Sequence, residues 1–144
     1  MQVKEFIDRL DEGKIVAAID AAEKTTSGEI RVYISHRDRQ DALAFARRRF
    51  LELGMTKTRE RNAVLLYLVP QTRLFAVIGD VAVHQKCGDK FWQEVIALMT
   101  ERLKREAFTD AIVHAVEKIG ALLAEHFPHK PGDTNQLSNR IIED

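Results

Sequence analysis

The sequence is short of thiols, of long apolar runs and of any recognisable export signal. Cys87 is the only cysteine among 144 residues, so an internal disulfide is excluded and a reducing setting is indicated. The apolar runs have the length of strands, below the ~18 residues that indicate a membrane span. Residues 1–5 are charged, unlike the start of a signal peptide. We therefore predict a soluble cytoplasmic protein with no transmembrane segment.

The sequence also lacks an excess of either charge. Lysine plus arginine and aspartate plus glutamate each number 22, so the formal net charge is zero. Such a chain has no global field that would attract nucleic acid or an anionic membrane. Residues 37–61 hold eight basic and four acidic residues, but without the interleaved aromatic residues of a single-strand binding platform. We interpret this excess as a solvated surface and predict no nucleic-acid partner.

The residues that are present are typical of one globular domain. Hydrophobic residues make up 45% of the chain and charged residues 31%, which is enough for a packed core without disulfides or a structural metal. No linker or internal repeat divides the sequence. We predict a single domain over residues 1–144. Within it, residues 128–144 form an irregular C-terminal tail, because proline, glycine, aspartate, asparagine and serine dominate there.

Apolar periodicity predicts three strands among helices. Residues 29–35 alternate apolar and polar, whereas residues 62–69 are almost continuously apolar, as in a central strand covered on both faces. A short turn leads to residues 74–78, which predicts an antiparallel hairpin. The helix predicted over residues 41–53 makes the first two strands a parallel βαβ unit. The predicted class is α/β, a short mixed sheet flanked by helices in the order αβαββααα.

Four local signals set the expected ends of the helices. Gly13 is expected to interrupt the first helical pattern, and Asp11 to cap its second piece. Gly28 fits a left-handed turn after that helix. Thr109 or Asp110 is expected to cap the last helix.

The topology predicts that polar residues converge at one edge of the sheet. The starts of two parallel strands lie at the same edge, and the end of an antiparallel third strand returns to it. Ser27 and Glu29, then Arg61 and Asn62, and finally Asp80 are therefore expected to lie close together.

This group of residues permits two kinds of ligand site and one structural interpretation. Glu29 and Asp80 could hold a divalent cation such as Ca²⁺, which prefers oxygen ligands. Alternatively, Arg61 could bind a phosphate or carboxylate bidentately beside a helix N-terminus. In the structural interpretation, Asp80 caps a helix and Arg61 pairs with Glu29 or Asp80.

Two further pairs of residues have side chains that could form a site. His84 and Cys87 are three apart and would be neighbours on a helix, but nothing in the sequence orients the histidine, so we interpret Cys87 as a packed thiol. His126 and His129 flank a proline, and we assign them no metal. No catalytic residue is identified.

Short motifs along residues 3–138 resemble the short soluble bacterial branch of the TPM-domain family. They are TSGEIRV at 26–32, LGM at 53–55 with Thr58, Arg61-Asn62, FAVIGD at 75–80, Gly88 with FW at 91–92, FP at 127–128 and NQL at 135–137. The resemblance implies an α/β/α sandwich around a short mixed sheet. It also implies service to membrane protein assemblies. A plant thylakoid-lumen relative is linked to photosystem repair and described as an acid phosphatase, a nematode relative is a subunit of a receptor channel, and bacterial members accompany LemA-type membrane proteins.

The chain departs from the membrane-attached and lumenal relatives at its start. Those relatives begin with an acidic segment near a proposed cation site, whereas this sequence starts with a helical pattern. Their phosphatase and metal residues are therefore not carried over. Two hypotheses follow. The first is a non-catalytic binding or adaptor module for a membrane-associated protein, LemA-like or itself TPM-containing. The alternative is a weak phosphatase that uses a cation near Glu29 and Asp80, with Arg61 positioning the phosphate.

Overall fold

The computed structural model describes residues 1–130 and 139–144. The part of the predicted tail at 131–138, including the NQL motif, lies outside the described residues. The helices and strands, in chain order, are α1 (Val3–Asp8), α2 (Glu12–Glu23), β1 (Glu29–Ile34), α3 (Ala42–Glu52), β2 (Ala63–Val69), β3 (Leu74–Gly79), α4 (Val81–Lys104), α5 (Phe108–His126) and β4 (Ile142–Glu143).

The four strands form one mixed sheet in the order β3-β2-β1-β4. Strands β1 and β2 are parallel, and β2 and β3 form the antiparallel hairpin. All seven residues of β2 are buried, as expected of a central strand. The predicted fold class, a mixed sheet built from a βαβ unit and a hairpin, is confirmed.

Helices cover both faces of the sheet. On one face, α1, α2, α4 and α5 pack against a core that includes Ile30, Val32 and Leu66. On the other face, α3 and a 3₁₀ turn at Met55–Lys57 cover Tyr33 and Tyr67. Because both faces of β1 are covered, Tyr33 is 4% exposed, and the apolar–polar alternation of this strand does not correspond to one wet face.

The N-terminal helices pack against a helix from much later in the chain. The rings of Phe6 in α1 and Phe108 in α5 lie 4.8 Å apart. Gly120 of α5 approaches Ala22 of α2 so closely that a Cβ at Gly120 would lie 2.6 Å from the Ala22 Cβ. A side chain at Gly120 would therefore push α2 and α5 apart.

Three of the predicted helix boundaries are wrong. The first helical pattern breaks at residues 9–11 and not at Gly13, although Asp11 does cap α2 by accepting a hydrogen bond from the Lys14 amide at 3.1 Å. The backbone of Gly28 is not in the left-handed conformation. A glycine fits there because a Cβ atom would lie only 2.9 Å from Leu123 Cδ1. Helix α5 begins without a side-chain cap. The Thr109 hydroxyl instead accepts a hydrogen bond from the Asp11 amide at 3.0 Å.

The expectation of an irregular tail is wrong at its far end. Ile142 and Glu143 form β4, which pairs in parallel with Tyr33 and Ile34 of β1. The Asp144 carboxylate then accepts hydrogen bonds from the Ser35 hydroxyl at 2.8 Å and from the His36 amide at 2.6 Å. Sequence composition does not reveal this pairing, because so short a strand has no periodicity to detect.

None of the helices within the described residues is long and apolar enough to cross a bilayer.

Candidate functional site

The five predicted site residues, which we call the polar edge, lie at neighbouring positions on one edge of the sheet. Glu29 pairs with Ala63 across β1 and β2, immediately after Asn62. The Asp80 amide donates a hydrogen bond to the Ala63 carbonyl at 2.9 Å. Strand connectivity therefore brings together three segments that are far apart in the sequence.

Arg61 and Asp80 form a bidentate ion pair. The Arg61 Nε and Nη2 atoms donate to Asp80 Oδ2 and Oδ1 at 2.7 and 2.8 Å. Asp80 Oδ1 also accepts the Val81 amide at 2.8 Å, so the same carboxylate caps α4. Hydrogen bonding to Asp80 raises the pKa of the Arg61 guanidinium. Asp80 is buried, whereas 44% of the Arg61 side chain is exposed. The pair thus holds the start of α4 against the loop before β2.

Ser27 and Asn62 belong to a second hydrogen-bonded group, in which Glu60 takes part. The Asn62 side-chain amide donates to the Ser27 hydroxyl at 3.1 Å, and the Ser27 hydroxyl donates to the Glu60 carboxylate. Lys130 contacts the other Glu60 oxygen at 2.9 Å. Hydrogen bonds from Ser27 and Lys130 lower the pKa of Glu60. Sequence reasoning missed Glu60, although its place beside Arg61 was a signal that could have been used.

Glu29 lies beside a second carboxylate, that of Glu23. Glu29 is 2% exposed, and Glu23 accepts the Ile30 amide at 2.8 Å. Burial, followed by the effect of Glu29, raises the pKa of Glu23 to about 8. At neutral pH, Glu23 is therefore mainly protonated, and its carboxyl group can share this proton with the neighbouring Glu29 carboxylate. Arg31, two residues further along β1, supplies positive charge to both. Glu23 could not be recognised from the sequence as part of this group, because it lies at the end of α2 and outside the motifs.

The carboxylates of the polar edge do not form a cation cage in this arrangement. Both oxygens of Asp80 already accept hydrogen bonds, and the Glu29 carboxylate interacts with that of Glu23. In the residues that the structure describes, no group of three His, Cys, Asp or Glu side chains could hold a metal ion. Binding a cation at Glu29 and Asp80 would require Arg61 to leave Asp80. The Ca²⁺ site stays a prediction.

The other candidate residues from the sequence take part in packing and in backbone hydrogen bonds. His84 lies against the ring of Trp92, with centroids 5.3 Å apart. Burial raises the pKa of the half-buried Cys87 thiol, which is the opposite of nucleophile activation. His126 ends α5, and the His129 amide donates to the Thr25 carbonyl at 3.2 Å. These contacts agree with the packed-thiol interpretation of Cys87.

The opposite end of the sheet holds a cavity of about 360 Å³, which we call the hairpin pocket. It lies between α1, the β2–β3 hairpin and the junction of α4 with α5. Its lining residues are Met1, Phe6, Leu68, Val69, Pro70, Arg73, Leu74, Phe75, Thr100, Leu103, Lys104, Glu106 and Phe108. Pro70 and Arg73 belong to the turn between β2 and β3, and most of the other lining residues are apolar and resemble ordinary core positions in the sequence.

Comparisons with known proteins identify the family of this chain. The BA42 protein of the psychrophilic bacterium Bizionia argentinensis, solved by NMR, is 34% identical, with 92% of each chain covered and a TM-score of 0.86. The N-terminal domain of the cg2496 protein of Corynebacterium glutamicum is 16% identical and has a TM-score of 0.59, over 92% of this chain and 77% of that one. The second likeness shows the fold alone. A search of the curated proteins found no match.

The family comparison agrees with the motifs found in the sequence. The profile of the TPM domain matches residues 2–122, which contain the whole of the polar edge. The resemblance drawn from those motifs is thereby confirmed, and the chain belongs to the TPM domain family.

Proposed function

We propose that this TPM domain is a non-catalytic binding module that works in the cytoplasm with a membrane-associated protein. The observation that carries the proposal is the Arg61–Asp80 pair, in which the two charged groups bind each other and the Asp80 carboxylate also caps α4. A catalytic edge needs groups that can act on a substrate, such as an activated nucleophile or a bound metal. Among the described residues, no group of three His, Cys, Asp or Glu side chains could hold a metal ion, and the charged groups of Arg61 and Asp80 are engaged with each other.

The outer face of α3 is the surface that best suits a partner. Leu43, Arg47 and Leu51 follow one another at intervals of four, so they share one stripe of the helix. Leu43 is 45% exposed and Leu51 is 65% exposed, and Arg47 between them is also exposed. Large apolar side chains next to a cation suit an amphipathic, acidic segment of another protein. We infer that such a segment of a LemA-like or TPM-containing membrane protein packs here.

A pull-down from detergent-solubilised membranes tests this proposal. The bait is the full chain, as wild type, as Leu51→Asp and as Ile96→Asp. Ile96 is a matched control because it is a similarly apolar residue, 44% exposed, on α4. We expect wild type and Ile96→Asp to recover the same membrane protein and Leu51→Asp to lose it. Failure to recover any membrane protein reproducibly would contradict the binding role, and equal recovery by all three baits would contradict the α3 surface.

A weak cation-dependent phosphatase is the second candidate. The observation that favours it is the position of Arg61, which keeps 44% of its side chain exposed beside the N-terminus of α4. An arriving phosphate could compete with Asp80 for the guanidinium. In this mechanism a cation near Glu29 and Asp80 would activate water, and Arg61 would orient the phosphate.

Phosphate release measured with and without added Ca²⁺ or Mg²⁺ separates the two candidates. The variants are Asp80→Asn, which keeps an oxygen to cap α4, and Arg61→Lys, which keeps the charge. If the domain is a binding module, wild type and both variants release phosphate at the same background rate, with or without cation. A cation-dependent rate that falls at least tenfold (~1.4 kcal/mol of activation free energy) in Asp80→Asn would establish the phosphatase.

A further inference from the structure

The hairpin pocket has the dimensions and the lining of a small-molecule site. Its volume of about 360 Å³ lies within the ~300–1,000 Å³ typical of ligand cavities. Such sites are mainly apolar, with a few polar groups that fix the orientation of the ligand. The pocket is separated from the polar edge by the length of the hairpin, and it shares no lining residue with that edge or with the outer face of α3.

The floor of the pocket is already formed. Phe6 and Phe108 are 3% and 7% exposed, and their rings contact each other across the floor. Leu68 of β2 is 2% exposed and closes the side nearest the sheet. Because these side chains are fixed by the surrounding core, an apolar ligand would not have to order them.

The rim of the pocket is positively charged on balance. Arg73 and Lys104 are exposed at the rim, and within residues 1–130 and 139–144 neither forms an ion pair. The acid at the rim, Glu106, is bound by Arg9 at 2.7 Å, and the positive charge of Arg73 acts on it more weakly without forming an ion pair. Arg9 also lies over the Phe108 ring, 4.6 Å from its centroid. Two cations therefore stand beside an apolar cavity whose single rim acid is already compensated.

The backbone holds Arg73 at this rim. Its φ of 58° is in the left-handed region, which few non-glycine residues adopt, and its amide donates to the Pro70 carbonyl at 3.2 Å. The turn of the hairpin thus presents the guanidinium next to Leu74, whose side chain is 38% exposed at the mouth. An apolar surface and a cation are placed side by side.

We propose that the hairpin pocket binds a medium-chain fatty acid, with the alkyl chain against Phe6 and Phe108 and the carboxylate between Arg73 and Lys104. The apolar floor would bury the alkyl chain of the fatty acid, and the two rim cations would bind its single negative charge. A cationic amphiphile is disfavoured by the same rim, and a polar anion such as free phosphate gains nothing from the floor.

Titration of the full, isotope-labelled chain with decanoate, followed by backbone amide shifts, tests the site. We expect saturable shifts confined to α1, the hairpin turn and the α4–α5 junction. Across hexanoate, octanoate and decanoate, each added methylene should tighten binding about fourfold until the pocket is full. Decanol and decyltrimethylammonium, which match the chain but not the charge, should bind more weakly than decanoate.

Two variants and one control decide whether the rim cations take part. Arg73→Gln and Lys104→Gln should each weaken decanoate about tenfold, through loss of a charge-assisted contact. Arg105→Gln is the matched control, because Arg105 is an exposed arginine near Lys104 that pairs with Glu101 and does not line the pocket. It should leave the affinity unchanged.

Several outcomes would overturn the proposal. They are the absence of saturable shifts, shifts spread over the whole surface as a detergent would cause, and equal affinity for decanoate and decanol. If an acidic amphipathic peptide shifts the pocket amides while decanoate does not, the pocket is a protein-docking site and the fatty-acid assignment is wrong. Because Arg73 and Lys104 are exposed, their variants are expected to fold, and amide spectra without ligand will check this.

Discussion

Two arginines at opposite ends of the sheet have the same backbone conformation and opposite surroundings. Arg61 has a φ of 53° and Arg73 a φ of 58°. Arg61 is bound bidentately by the buried Asp80, whereas Arg73 stands at the rim of an apolar cavity. The difference teaches that Arg61 is already engaged by a buried carboxylate, whereas the Arg73 guanidinium is available to a ligand at the opposite end of the hairpin.

The largest effect is expected from the floor of the hairpin pocket. Phe108→Ala removes a buried aromatic ring and should lower the free energy of unfolding by ~3–5 kcal/mol. Urea unfolding measures this change, and Leu51→Ala on the exposed face of α3 is the control, expected within ~0.5 kcal/mol of wild type. A cost for Phe108→Ala as small as that of the control would mean that the floor is not part of the core, and would remove the contrast between the two ends.

The next effect concerns the buried carboxylates Glu23 and Glu29. The folded-state pKa of Glu23, about 8, lies above its unfolded value near 4.5, so the folded state binds the extra proton between these pH values. The contribution of Glu23 to the free energy of unfolding should therefore be largest below about pH 4.5. It should fall by on the order of 2–4 kcal/mol as the pH rises to about 8.

The variant Glu23→Gln isolates that pH dependence. Glutamine keeps an oxygen for the Ile30 amide and can donate to Glu29 as the protonated acid does. We expect the variant to lose most of the decline between pH 5 and 8, while Glu117→Gln, an exposed change on α5, retains it. Stability measured by urea unfolding at several pH values would contradict the proton-sharing interpretation if wild type and Glu23→Gln had parallel profiles.

The smallest effect gives the most direct comparison of the two arginines. Arg61→Gln leaves the buried Asp80 without its bidentate partner and should lower the free energy of unfolding more than Arg73→Gln does. Arg73→Gln removes an exposed cation with no ion pair among the described residues and should change stability by less than ~0.5 kcal/mol. Thermal or urea unfolding of both variants under one condition is sufficient. Equal costs would mean that Arg73 is as structural as Arg61.

The sheet and the polar edge follow from sequence because they depend on patterns of more than a few residues. The continuous apolar run of β2 marks a central strand, and the short turn after it leaves an antiparallel hairpin as the economical connection. Once β1 and β2 are parallel, their starts must share an edge with the end of β3. Placing Glu29, Arg61 and Asp80 together therefore needs connectivity alone.

The pairing of side chains and the existence of the hairpin pocket could not be predicted from apolar patterns and strand connectivity. Whether Arg61 binds Glu29 or Asp80 depends on rotamers and on the left-handed turn at Arg61, which no local pattern specifies. The pocket is lined by residues such as Phe6 and Phe108, whose apolar character predicts burial whether or not a cavity lies beside them. A void is a property of packing between distant segments, and sequence periodicity does not report it.

The packing of α1 and α2 on α5 has a consequence for the synthesis of the chain. A ribosome releases α1 and α2 first, yet Phe6, Ile15 and Ile19 are buried by segments that include Phe108 and Gly120, which emerge much later. Until α5 has left the exit tunnel, the nascent chain carries two helices whose apolar faces lack the part of the core that α5 supplies. The apolar faces of the first two helices are thus exposed for the longest time during synthesis, and the core is completed only when α5 has emerged.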